Sequence, residues 1–509
     1  MEVRSDAVVK LQNISKSFGT VQANRDVCFE LRRGEILALL GENGSGKTTL
    51  MNMLSGIYYP DSGAIYVDGK EVIIRSPKDA FDLGIGMVHQ HFKLVDVLTA
   101  AENIILGLKG SAFVNRKKLA DEISEISAKY GFSLDPNKKI YDMSVSEKQK
   151  VEIVKVLYRG ADVLILDEPT AVLTPQEADI LFEMLRKMRD DGKAVIIITH
   201  KLNEVLSLSD RVCILRKGEL VGELQTKDAN VQSLTEGMVG RTVNLEIQRE
   251  AGALGEERIT VSNLTCLNED GLKALEDVSF GLRAGEILGV AGIAGSGQKE
   301  LCESITGLYP VESGSIIFHD NEVSGELSGL SPTEIAKKGV HLAFVPEDRL
   351  GMGLVAGLDM VDNMMLKSYH DNKGFLIDRK KPKDAAEKLI KSLEIVTPGV
   401  STPVRRLSGG NVQKVLLGRE IDSDPSVLVV AYPVRGLDIN SSYTIYNLLN
   451  DERKAGVAVL FVGEDLDVLL ELCDRIMVLC GGRLSGIVDA TKATKEELGL
   501  LMTSVNDGM

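Results

Sequence analysis

What the chain lacks narrows its class first. No apolar run in its 509 residues approaches the roughly 18 that a membrane-spanning helix needs. The runs "VLIL", "AVIIIT" and "VLVV" read instead as strands of a parallel sheet covered on both faces. There is no basic excess: 74 acidic residues against 59 basic ones leave a net charge of −15, which argues against a nucleic-acid partner. No CxxC pair occurs among Cys28, Cys213, Cys266, Cys302, Cys473 and Cys480. They are expected to be buried thiols of a reducing cytosol, not metal ligands or a disulfide framework. The opening "MEVRSDAVVK" has no apolar core of signal-peptide length, so export is not expected. What is present, 44% hydrophobic residues and enough length for at least two domains, supports packed cores.

The chain is written twice. "LRRGEILALLGENGSGKTTL" (31–50) aligns with "LRAGEILGVAGIAGSGQKEL" (282–301), and "DSGAIYVDGKEV" (61–72) with "ESGSIIFHDNEV" (312–323), both at an offset of 251 positions. Farther on the offset is 264, where "ADVLILDEPTAVLT" (161–174) meets "PSVLVVAYPVRGLD" (425–438) and "SDRVCILRKGEL" (209–220) meets "CDRIMVLCGGRL" (473–484). Two homologous domains, 1–241 and 258–509, are therefore expected around a short polar linker, 242–257. Each copy alternates apolar strands with helical patterns, which predicts an α/β domain with a mainly parallel sheet. A small antiparallel part is expected around the Asp68-Gly69 turn.

The first copy carries groups for phosphate chemistry. Gly41, Glu42, Asn43, Gly44, Ser45, Gly46, Lys47 and Thr48 fit the P-loop pattern, between a predicted strand and a predicted helix. Glycines let the backbone curl so that its N–H groups and the helix N-terminus hold phosphates. Lys47 offers a point charge, and the Thr48 hydroxyl a ligand for Mg²⁺. "VLILDEPT" sets Asp167 and Glu168 at the end of a strand, one to reach the metal's water shell and one to orient or deprotonate a water. His200 follows the strand "AVIIIT" as a candidate for sensing a γ-phosphate.

With these residues in view the chain resembles ATP-binding-cassette (ABC) ATPases that have two cassettes fused, over nearly its whole length. The resemblance implies two P-loop ATPase domains, each with a mainly parallel core, a small antiparallel part and a helical subdomain. It implies that Gly41 to Thr49 form the Walker A loop for ATP, and that Asp167 and Glu168 are the Walker B acid and the catalytic glutamate. Gln90, in "GMVHQHFKL", is implied to touch Mg²⁺ and to face a membrane partner. His200 matches the switch histidine, and Phe18 the aromatic that stacks on adenine. In "RRLSGGNVQKV", Ser408, Gly409, Gly410 and Asn411 match the signature that contacts a γ-phosphate at a helix start. Asp438 matches the aspartate of the following loop.

The substitutions in the two copies are complementary. In the second copy Gln298 replaces the P-loop lysine and Lys299 the metal-binding threonine. Ala431 and Tyr432 replace the two acids, Glu464 the histidine and Glu347 the glutamine; no aromatic remains for adenine in "LTCLNEDGLKALEDV". In the first copy the signature has become "MSVSEKQK", where Glu147 would set a negative charge near a γ-phosphate, and Thr174 replaces the loop aspartate. In this family two cassettes pack head to tail, so the resemblance implies one complete site: Lys47, Thr48, Gln90, Asp167, Glu168 and His200 with Ser408, Gly409, Gly410 and Asp438. The other site is expected not to hydrolyse.

The resemblance is strongest to fused cassettes of sugar and nucleoside importers, whose second cassette carries a segment like "VPEDRLGMGLV" (345–355). The lost acids of "AYPVRGLD" are most similar to the nucleoside-importing branch, with pentose and galactoside importers as the alternative. Implied partners are two integral-membrane permeases and a substrate-binding lipoprotein, with one chain per transporter at the cytoplasmic face of the membrane. Twin-cassette ATPases that act on ribosomes or DNA fit less well, because they keep both sites and carry a long inter-cassette arm.

Overall fold

The computed structural model describes residues 7–503, except His91, 109–114, Val172, His200, 243–246, Gln248, 250–253, 321–322 and 370–377. The chain divides into two units, Met1–Asn244 and Leu245–Met509. Ile247 packs on the second unit's core, and Arg249 donates to the carbonyls of Leu470 and Cys473 in that unit.

The first unit contains strands β1 (Ala7–Phe18), β2 (Val21–Arg32), β3 (Ile36–Leu40), β4 (Ser62–Val67), β5 (Lys70–Val72), β6 (Ile85–Val88), β7 (Val163–Asp167), β8 (Ala194–Ile198), β9 (Arg211–Arg216) and β10 (Glu219–Gln225). Strands β3, β7 and β8 are buried at every position, as unbroken apolar runs in a covered parallel sheet must be. They lie in the order β10-β9-β3-β8-β7-β6, parallel except for the β9–β10 hairpin. The antiparallel part is larger than expected, four strands in the order β2-β1-β4-β5. Its β4–β5 turn falls at Asp68-Gly69, both at positive φ (49° and 76°), which is the twist a two-residue hairpin turn requires. A separate apolar cluster, including Ile104, Ile123, Ile140, Val151 and Val154, holds the helices Ala100–Ile105, Arg116–Lys129 and Val145–Tyr158 together as a subdomain.

The second unit repeats this plan with β11 (Glu257–Leu267), β12 (Lys273–Arg283), β13 (Ile287–Gly292), β14 (Ser313–Phe318), β15 (Gly325–Glu326), β16 (Leu342–Val345), β17 (Val427–Ala431), β18 (Ala458–Val462), β19 (Arg475–Cys480) and β20 (Arg483–Asp489). Its sheets run β12-β11-β14-β15 and β16-β17-β18-β13-β19-β20, the same order strand for strand. An ion pair on a buried glutamate just before the central strand is retained too. Arg211 Nε lies 2.7 Å from Glu35, and Arg475 Nε 2.6 Å from Glu286. Four of the six cysteines are buried as expected; Cys28 is exposed and Cys480 half-buried. Both lie near sheet edges, where alternate side chains face out. No described helix is long and apolar enough to cross a membrane.

Candidate functional site

The glycine loop joins β3 to the helix Lys47–Leu54. Gly46, the residue before that helix, has φ 99° and no side-chain cap on the helix start. A Cβ at Gly46 would collide with the Ala23 carbonyl and with Asn24, so only glycine fits. The helices Pro77–Asp82, Ala100–Ile105, Val145–Tyr158 and Pro175–Asp190 are all capped by a Ser or Thr side chain. The loop helix instead leaves its first N–H groups for an outside acceptor. Ser45 Oγ is buried in the same loop without a partner, an orphan that an anion would satisfy.

Lys47 is buried and folds back on the loop, donating to the carbonyls of Gly41 (2.6 Å) and Glu42 (2.9 Å). Burial pushes its ammonium down, against the opposing pull of Glu168, Asp167 and Glu42. Asp167 ends β7 and is 7% exposed. Burial, then the neighbouring Glu168, push it up to about 6, with Lys47 and a hydrogen bond from Thr48 working the other way. Glu168 takes a left-handed backbone (φ 49°) pinned by its N–H to the Ile198 carbonyl at 2.8 Å. Such a residue costs roughly 1–3 kcal/mol. Tyr432 repeats it (φ 48°, N–H to Val462 at 2.9 Å), so the fold imposes the conformation even where the acid is gone. The structure thus gathers Lys47, Thr48, Asp167 and Glu168. Gln90 leaves the adjacent strand, where Val88 pairs with Leu166, and is exposed. Phe18, 43% exposed, ends β1 in an edge contact with Tyr58, ring centroids 5.1 Å apart. His200 lies outside the described residues.

A divalent ion fits this donor set: a buried carboxylate, whose ionised form a cation would favour, beside a threonine hydroxyl. Among the described residues no group of three or more His, Cys, Asp or Glu gathers. One prediction follows from the Asp167 shift. Its carboxyl moves from 3.8 to about 6 on folding, so its contribution to stability is complete below about pH 4 and is lost as pH rises through 6. At pH 8 the buried charge costs on the order of 2–3 kcal/mol. Asp167→Asn is therefore expected to raise the melting temperature of the nucleotide-free chain at pH 8 and to leave it unchanged at pH 4. Thermal melts at the two pH values check this, and a lower melting temperature at pH 8 would contradict it.

In the second unit, Ser408 caps the helix Gly409–Ile421, with Asn411 Nδ2 2.9 Å from its hydroxyl. A Cβ on Gly410 would lie 2.6 Å from Ser441 Oγ and 3.3 Å from Asp438 Oδ2. That glycine lets the signature start abut the Asp438 cap of the helix Ile439–Lys454. Ser408, Gly409, Gly410, Asn411 and Asp438 therefore form one cluster. In the first unit the matching helix starts with a closed capping box. Ser144 and Glu147 exchange bonds of 2.8 and 3.2 Å, and Lys138 binds both carboxylate oxygens of Glu147 at 2.8 Å. Burial raises the Glu147 carboxyl, but Lys138 and the Ser144 amide outweigh it and hold it low. Glu147 thus stays ionised, with Lys138 as its counter-charge. Gln298 fills the slot of Lys47, donating at 3.2 Å to the Ile293 carbonyl, the counterpart of Glu42.

Several residues escaped motif reading. Asn24, fully buried, donates at 3.3 Å to the Gly46 carbonyl. Glu204 accepts from Thr170 (2.7 Å) and Thr199 (3.3 Å), and Lys201 donates to the Thr170 carbonyl at 3.2 Å. Their counterparts are Leu275, Val434 and Val468 for Asn24, Thr170 and Glu204, all packed in cores. Reading the two copies against each other at every position would have flagged them, because polar groups with a shared task were lost together.

Residues 24–171 and 275–433 match the family described as ABC transporter. The nucleoside import ATP-binding protein NupA of Lactococcus lactis subsp. cremoris is 42% identical over 508 residues, covering 99% of each chain. The guanosine import ATP-binding protein NupO of Bacillus subtilis is 42% identical over 97% of each. The ribose import ATP-binding protein RbsA 1 of Streptomyces avermitilis is 38% identical over 99% of this chain and 94% of its own.

Proposed function

The chain belongs to the ABC transporter family, as an ATPase with two cassettes, and from that premise we propose that it drives the import of nucleosides through a single complete hydrolytic site. The observation that carries this reading is the complementarity of losses. The first unit keeps the groups that hold and cleave a triphosphate, and the second keeps the signature cluster that would reach across to it.

In this reading the amides of Gly41 to Thr49 cradle the phosphates, Lys47 moves from its own loop carbonyls to the β- and γ-phosphates, and Phe18 stacks on adenine. Thr48, Asp167 and Gln90 would hold Mg²⁺, which when bound neutralises charge developing between the β- and γ-oxygens. Glu168 accepts a proton from the attacking water, and His200 senses the γ-phosphate. Ser408, Gly409, Gly410 and Asn411, with Asp438, complete the site from the second unit. ATP favours the closed pairing of units, and hydrolysis releases it, a population shift set by the γ-phosphate. The segments around Gln90 and Glu347 would dock two integral-membrane permeases at the cytoplasmic face of the membrane. A substrate-binding lipoprotein would deliver the cargo, with one chain per transporter.

Nucleoside is preferred over pentose or galactoside because both Walker B acids are replaced in the second unit (Ala431, Tyr432) and because of the full-length likeness to nucleoside importers. The test is ATP turnover of the reconstituted transporter with its receptor loaded in turn with guanosine and with ribose. The nucleoside is expected to raise turnover severalfold and ribose to leave it at the basal rate; the opposite order would establish the sugar reading.

A further inference from the structure

The replaced positions of the second unit are joined to one another. Glu347 stands where the first unit has Gln90, Glu464 at the position of His200, Tyr432 at that of Glu168 and Arg435 at that of Ala171. The Arg435 guanidinium pairs with Glu347 and, at 3.3 Å, with Glu464. Arg349 donates to the Arg435 carbonyl, and the Arg435 N–H to the Tyr432 carbonyl at 3.2 Å. Asp348 accepts from the N–H groups of Leu350 (3.3 Å) and Gly351 (2.8 Å), closing Arg349–Gly353 into one wide turn. The 347–353 segment is thus tied by side chains to the loops that follow β17 and β18, while Arg419 of the helix Gly409–Ile421 donates to the Gly353 carbonyl at 2.8 Å. In the first unit Ala171 has no group that could bridge, and among the described residues the Gln90 side chain makes no hydrogen bond.

We propose that Arg435 is a positioning residue that holds the 347–353 segment against the sheet whether or not nucleotide is bound, so that nucleotide-driven movement of the corresponding segments is confined to the first unit. Exposed ion pairs are individually weak. Here, however, one guanidinium is shared between two carboxylates, and without it Glu347 and Glu464 would face each other as like charges. Loss of Arg435 therefore removes two attractions and adds a repulsion. This cation is built into the chain and joins the residues at the positions of Gln90 and His200 without a bound ligand. The consequence for transport rests on the docking role proposed above; the holding itself does not.

Hydrogen exchange on the full-length chain, with and without Mg²⁺ and a non-hydrolysable ATP analogue, tests it. In the unaltered chain the exchange of 346–355 is expected to change less than about twofold on adding nucleotide, while that of 86–97 slows by about fivefold or more. Arg435→Gln is expected to speed exchange of 346–355 by roughly threefold to tenfold and to make it respond to nucleotide. Arg435→Lys, which keeps the charge, restores at least half of the protection. Glu464→Gln gives an intermediate loss with ATP turnover in the unaltered range. A nucleotide response of 346–355 in the unaltered chain, or unchanged exchange in Arg435→Gln, overturns the proposal. Failure of the docking role would show separately, as no permease co-purifying with the chain, and would leave these exchange results standing.

Discussion

Glu168→Gln is expected to lower ATP turnover by about 10²–10⁴-fold while leaving ATP bound, the range a positioned proton acceptor supplies. The substitution keeps the volume and removes only the ability to take a proton. The backbone will tolerate it: the left-handed conformation at this position (φ 49°) is held by the Ile198 carbonyl, and the second unit adopts the same one with a tyrosine. Binding is expected to survive for an electrostatic reason. Glu168 is the second contributor, after burial, to the raised titration of Asp167. Its neutralisation lets Asp167 ionise more readily beside Thr48, which favours the metal, and removes a negative charge from the phosphate cradle. Steady-state phosphate release and equilibrium ATP binding on the same preparation check both halves. Turnover within tenfold of the unaltered chain would remove Glu168 from its role.

The sheet order and the loop were legible in the sequence because they rest on strong local signals. Unbroken apolar runs at 163–166 and 194–198 can only be covered strands, and a loop closed by Gly46 at φ 99° tolerates no side chain. The antiparallel sheet was seen only at its Asp68-Gly69 turn. Its long strands β1 and β2 alternate buried and exposed residues irregularly around bulges, so their period of two is broken. The site was legible where chemistry dictates residue type, at Lys47, Asp167 and Glu168. It was not legible where the task is to hold another residue in place. Asn24 under Gly46, or Glu204 beside Thr170, read as ordinary polar positions, because those partners are 22 and 34 residues away in sequence. The charge of Glu147 was legible, but its pairing with Lys138 from the preceding loop was not.

Ser408→Arg is expected to abolish turnover, to below about one hundredth of the unaltered rate, although no catalytic acid or P-loop lysine lies in its unit. Ser408 and Gly409 are exposed at the helix start, so a long cationic side chain is accommodated without unfolding the unit. Among the described residues, the side-chain bonds it removes are those of the cap with Asn411, which contributes about 1 kcal/mol of local stability. A structural defect of that size cannot stop hydrolysis in a unit with its own core. In the proposed pairing, obstruction of a γ-phosphate held by the other unit would, since hydrogen bonds from the helix start to that charge would contribute about 1.5–3 kcal/mol each and would all be displaced. The control is the same change in the first copy. Ser144→Arg opens the capping box with Glu147 at the same stability cost, but in the proposed pairing it would face the loop in which Gln298 has replaced the lysine, and turnover is expected to stay within about twofold. Turnover and thermal melts of the two variants side by side decide the matter. Equal losses would mean that the helix start matters only as structure, and a normal rate in Ser408→Arg would mean that the first unit hydrolyses ATP without the second.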